Sequence, residues 1–209
     1  MANSYKLDNI RYLIGKFSNS SNILYKMNYG ISHSKLLLIL SITLFLKKSI
    51  VLAQETPLPE IRNMFNEAIK SESSREKFCR LMAKQPTKEP IMLAYKGTAK
   101  ALEAKVGWNP LSRIANLKEA DRLFERAIAQ EPRNIEMRFL RFSMQFYIPK
   151  WLGLSDNLYE DKQTIIQNIQ DYKSLNIDDG VLDWIQEFMI DSGYCSQSEI
   201  ATIKAAKTD

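Results

Sequence analysis

The chain has 209 residues, 45% of them hydrophobic and 25% charged, an ordinary balance for a globular protein of one or two domains. Its net charge of +5 does not mark a nucleic-acid binder: residues 1–53 carry seven Lys/Arg against one Asp, and the 22 basic and 23 acidic residues that remain nearly cancel. The single histidine, His33, lies in that leader, and two cysteines, Cys79 and Cys195, cannot alone form a four-ligand zinc site, so residues 54–209 lack Ser-His and Cys-His catalysis and no metal or other cofactor is expected.

Residues 36–46 read Leu-Leu-Leu-Ile-Leu-Ser-Ile-Thr-Leu-Phe-Leu, an uncharged apolar run behind Lys35. A bilayer-spanning helix needs about 20 residues, so the run fits the core of a secretory signal peptide better. Val51 and Ala53 are the small residues expected before a cleavage point, which puts the mature start at Gln54. Met27 gives such a signal a normal length, and residues 1–26 read as an extension upstream of the true start. The rival is an uncleaved inner-membrane anchor over Leu36 to Leu52, which must bury Lys47 and Lys48 at about 2.5–3.5 kcal/mol each. The expected organisation is a leader over 1–53 and a helical domain over 54–209, exported to the periplasm.

Helix signals then follow one another. Pro57 and Pro59 suit a helix start, and Ile61, Met64, Phe65, Ala68 and Ile69 recur at helical spacing. Ser73 and Glu76 have capping-box spacing and predict a second helix that carries Phe78, Cys79, Leu81 and Met82 and stops before Pro86. The third spans about Pro90 to Lys105. Val106 to Pro110 reads as a turn-rich loop, and the fourth helix covers about Ile114 to Gln130, closed by Pro132. The fifth runs from Asn134 to Tyr147 before Pro149, and the sixth from about Leu158 to Tyr172. Asp178-Asp179-Gly180 is a break before a seventh helix with Val181, Leu182, Ile185, Phe188 and Met189. Ser196 and Glu199 predict a second capping box, ahead of a last short helix with Ile200 and Ile203. No strand-like alternation appears. The fold class is all-α: eight helices in a short stack of antiparallel hairpins, with pairs at 60–84 and 134–172. Cys79 and Cys195 read as small buried apolar residues, with a disulfide between them as the alternative.

Ala120, Phe124, Ala127 and Pro132 are spaced Ala-x3-Phe-x2-Ala-x4-Pro, and Tyr95, Ala99 and Leu102 precede them on the third helix. This resembles the tetratricopeptide repeat, in which small residues let two helices approach closely and the aromatic fills the space between them. The spacing from Leu102 to Ala120 is about twice that of the repeat, which implies an insertion around Trp108-Asn109-Pro110. Tyr95-Lys-Gly97, Trp108-Asn-Pro110, residues 136–142, Pro149, Trp151-Leu-Gly153 and residues 157–162 also resemble a group of exported Bacteroidota proteins with no known activity. That likeness implies an envelope location and no reaction.

Arg138 and Arg141 stand among Phe139, Phe142, Phe146 and Trp151. They read either as a ligand groove or as an aromatic core whose arginines pair with Glu136, Asp161 or other acids. The repeat resemblance implies that Asn134, Met137, Arg141, Met144 and Gln145 line a concave face, where Arg141 can grip a carboxylate. The candidate binding set is therefore Asn134, Met137, Arg138, Arg141, Gln145 and Trp108. Trp108 is either part of a recognition loop or a plug packed on its hairpin, with Asn109 capping the turn. Residues 54–150 hold 18 basic and 12 acidic residues and 151–209 hold four and 11, so the halves either pair with each other or meet an oppositely charged partner.

These readings predict a non-catalytic protein–protein interaction module of the cell envelope, with a protein or peptide partner held in a groove formed by helices three to six. No nucleic acid is expected, and membrane contact comes only through an uncleaved leader. The alternative is a small-molecule or peptide binder that takes an acidic ligand through Arg138 or Arg141. A third class, an enzyme using carboxylates such as Glu160 and Asp161, requires a deep pocket on which two carboxylates converge; a wide shallow groove favours the interaction module, and a closed apolar pocket with one arginine favours the binder.

Overall fold

A computed structural model describes residues 55–206, and the leader, with His33, the apolar run, Met27 and the cleavage point before Gln54, lies outside the described residues. Eight α-helices occur among the described residues, and no strand does. They are α1 (Leu58–Lys70), α2 (Glu72–Lys84), α3 (Pro90–Val106), α4 (Pro110–Ile128), α5 (Ile135–Phe146), α6 (Leu158–Asn168), α7 (Asp179–Asp191) and α8 (Gln197–Ala205). A one-turn 3-10 helix, Lys150–Leu152, links α5 to α6, and another, Ile169–Asp171, tightens the end of α6. No helix among the described residues is long and apolar enough to cross a membrane.

The helix starts follow from local chemistry. Pro59 and Pro90 occupy the first turns of α1 and α3, where a missing N–H costs nothing. Asn134 accepts from the Glu136 and Met137 amides to cap α5, and Asp178 accepts from the Val181 amide to cap α7. Ser196 and Glu199 form the full capping box of α8. Two expectations are corrected. The cap of α2 is Ser71, which accepts from the Ser74 amide, so Ser73 and Glu76 lie inside the helix. Helix α4 begins at Pro110, with Asn109 accepting from the Leu111 amide, so the supposed insertion mostly lengthens the two helices and leaves a three-residue connection. An Asn-Pro pair is a cap followed by a first helical residue.

Successive helices pack in pairs, α1 on α2, α3 on α4, α5 on α6 and α7 on α8, and α5 also touches α3, α4 and α7. The one-residue connection of α1 to α2 and the three-residue connection of α3 to α4 suit antiparallel neighbours. Helix α5 lies between two cores. Met137 and Leu140 join the first, with Phe78, Tyr95, Leu123 and Phe124. Ile135, Phe139 and Phe142 join the second, with Ile165, Leu182, Ile185 and Ile203. A helix buried on several sides is a central element rather than a surface one.

The pairing of α3 on α4 is tight at Gly97, where a side chain is absent. A Cβ at Gly97 would stand 3.1 Å from the Ala120 carbonyl oxygen and 3.1 Å from the Phe124 ring. Phe124 is fully buried in that gap. Cys79 borders the first core and Cys195 the second, and both are free thiols. Burial pushes the Cys79 thiol up to about 11, which suits an inert packing residue.

Candidate functional site

An arginine placed among apolar residues needs an acid or a ligand. Arg138 and Arg141 find an acid. Their stripe of α5 faces α6, where Asp161 is fully buried. Arg141 donates from Nε to Asp161 Oδ2 at 2.7 Å and from Nη2 to Oδ1 at 2.6 Å. Arg138 donates through Nη1 to Asp161 Oδ1 at 2.9 Å and to Glu160 Oε1 at 2.7 Å, and through Nε to the Pro132 carbonyl. The paired Arg138 charge holds the Glu160 carboxyl below its ordinary range. Gln145 is also inside, donating to Asp121 and Asn157. Met137 is core, and Asn134 is the cap of α5.

A second buried network escaped the sequence reading. Arg62 on α1 donates from Nε and Nη2 to the two oxygens of Glu136, at 2.9 and 2.5 Å. Tyr95 on α3 donates its hydroxyl to Glu136 Oε1 at 2.6 Å. Arg62 also reaches Asp178, at the head of α7, at 2.6 Å. Burial, reinforced by the Glu136 charge, raises the Tyr95 hydroxyl well above its usual range. Burial opposes the Arg62 charge, but the hydrogen bond to Glu136 and the charges of Glu136, Tyr95 and Asp178 together outweigh it and keep the guanidinium protonated. Three helices thus meet at the Glu136 carboxylate, and Arg62 extends the tie to the cap of α7. The partners are separated by up to 116 positions, so no local pattern announces them.

The concavity lies elsewhere. A groove of about 730 Å³ is lined by α1, α3, α4, the C-terminal half of α5, the turn at Lys150–Leu152 and one residue of α7. Leu102, Ile114, Leu117, Leu140 and Met144 give it an apolar wall, and Phe65 and Phe188 close it on the α1 and α7 sides. Tyr147 and Trp151 line it while 75% and 81% exposed, which places them at the mouth. Among the described residues its only charged lining side chains are Lys105 and Arg113, both exposed, and no carboxylate lines it. Arg113 is steadied by a bond from Nε to the Ala104 carbonyl at 3.0 Å, and no acid among the described residues pairs with either cation.

None of the six candidate residues lines this groove, although Met144, placed on a concave face by the repeat spacing, does. Trp108, in the three-residue connection, is 93% exposed, so it does not plug its hairpin. Asn109 does cap the turn. Glu160 and Asp161 are turned to arginines and away from the groove, so no carboxylate pair converges on it. No group of three or more His, Cys, Asp or Glu able to hold a metal occurs among the described residues. No protein-family model, curated protein or solved structure matches the chain.

Proposed function

We propose that this protein is a non-catalytic binding protein whose groove receives an apolar ligand. The observation that carries the reading is the groove itself: about 730 Å³, walled by aliphatic and aromatic side chains, with two cations and no converging acid–base pair. Pockets of roughly 300–1,000 Å³ with mostly apolar linings and a few polar groups are the usual form of small-molecule sites. The reading sits on a tetratricopeptide-like stack, supported by the pairwise packing of successive helices and by Phe124 filling the gap at Gly97. Export to the cell envelope, with cleavage before Gln54, goes with this function and rests on the apolar run at 36–46.

Ala101 lines the groove and is half-buried. Ala101→Trp should obstruct it, leave the helical circular dichroism spectrum unchanged and reduce the fluorescence gain of an apolar dye such as anilinonaphthalene sulfonate seen with the native chain. Equal dye binding by the two proteins would overturn the reading. One observation favours the interaction module as second reading: Trp108, Leu111, Tyr147 and Trp151 are large apolar side chains left exposed, as on a surface that docks a protein.

A further inference from the structure

The groove is one-sided in charge. Lys105 lies in the last turn of α3, Arg113 lies in the first turn of α4, and both line the cavity. The bond from Arg113 Nε to the carbonyl of Ala104, the neighbour of Lys105, holds the guanidinium at the α3 end while its two η nitrogens have no partner among the described residues. The hydroxyl protons of the lining Thr98 and Ser143 are committed to the carbonyls of Ala94 and Leu140. The wall therefore offers a ligand apolar surface and, at one end, cations.

An extended peptide brings an N–H and a C=O at every residue, each of which needs a partner once it leaves water. This wall has too few free groups to serve them. A helix satisfies its own backbone, but at a diameter of about 10–12 Å it would fill a volume of this size with less than two turns. A hydrocarbon chain has neither difficulty. Charge then selects its head group, since guanidinium and ammonium together favour an anion.

We propose, building on the binding function above, that the ligand is a single-chain amphiphile with an anionic head, its acyl chain along Leu102, Ile114, Leu117 and Met144 and its head group on Arg113 and Lys105. A carboxylate and a phosphate monoester share this chemistry, and the two sources separate by direct comparison of their affinities.

Isothermal titration calorimetry of the full-length chain with dodecanoate, dodecyl phosphate and uncharged dodecanol tests the assignment. Dodecanoate or dodecyl phosphate should bind at least tenfold more tightly than dodecanol. Lys105→Gln combined with Arg113→Gln should remove that difference and leave dodecanol binding unchanged, and Ala101→Trp should weaken all three. Lys105→Gln alone, at an exposed residue, should reduce the difference and keeps the test intact should loss of the Arg113 bond loosen the α3–α4 connection. Equal binding of the three ligands, insensitive to both cation variants, would overturn the anionic head and leave the apolar groove standing. Binding of an acidic amphipathic peptide without binding of any dodecyl compound would overturn the amphiphile and favour the protein-docking reading. No binding of any probe would overturn this assignment and the proposed function together.

Discussion

Arg141 and Asp161 face each other through two parallel hydrogen bonds inside the protein, with the carboxylate fully buried and the guanidinium almost so. The arginine that looks most like a ligand group in the sequence is thereby fixed to the neighbouring helix. Arg141→Ala leaves the buried carboxylate with only its Arg138 partner. Breaking such a pair from one side costs roughly 3–5 kcal/mol. Urea unfolding should show a loss of that order, while ligand affinity per folded molecule stays unchanged. A normal melting curve would mean that α6 does not lie against α5 as described.

The Glu136 carboxylate gathers Arg62 and Tyr95 from two other helices. Tyr95→Phe keeps the ring and removes one donor from a buried charged acceptor, at a cost of about 1–3 kcal/mol. The same hydroxyl predicts alkaline behaviour. Its folded pKa is raised, so its contribution is complete below the ordinary tyrosine value of 10.0 and is lost as pH climbs above that value. Chemical denaturation between pH 9 and about 11 should show the native chain losing stability faster than Tyr95→Phe.

Glycine within a helix usually costs about 1 kcal/mol relative to alanine. At Gly97 the sign should reverse, because the new methyl meets a backbone oxygen and the buried Phe124 ring. Gly97→Ala should destabilise by about 1–3 kcal/mol, the range of overpacking. Phe124→Ala, which empties the same gap, should cost roughly 3–5 kcal/mol. A stabilised Gly97→Ala protein would refute the close α3–α4 contact.

Glu199 accepts the Ser196 amide and a 2.9 Å ion pair from Lys162, and these hold its carboxyl down at about 2, the amide hydrogen bond foremost. A depressed folded pKa gives stability that is complete above the unfolded value, about 4.5, and is lost as pH falls toward 2. Glu199→Gln should therefore melt below the native protein at neutral pH, and the gap should narrow between pH 4.5 and 2. A gap that does not change with pH would exclude the charged cap.

Trp108 stands clear of the protein. Trp108→Ala should move stability by no more than about 0.5 kcal/mol, as for most exposed positions. A large loss would restore the plug.

Much of the secondary structure was legible because its causes are local. The Pro residues in the first turns of α1 and α3, Asn134 and the Ser196–Glu199 box act within one turn, and the apolar periodicity of α4 and α7 acts within a few. Even the differences at Ser73 and at the start of α4 are local: the cap of α2 is Ser71 rather than Ser73, and the helix behind Asn109 starts at Pro110 rather than near Ile114. The face that each helix buries was not local. Arg113 and Arg141 are the same residue type on neighbouring helices, yet one lines the groove and the other is sealed by Asp161, twenty positions further along the chain. Composition and short-range pattern determined that the chain is helical and where its helices turn. Only the tertiary structure decided which charges are neutralised and which are left facing a cavity, because burial and pairing depend on the neighbours that a side chain meets across helices.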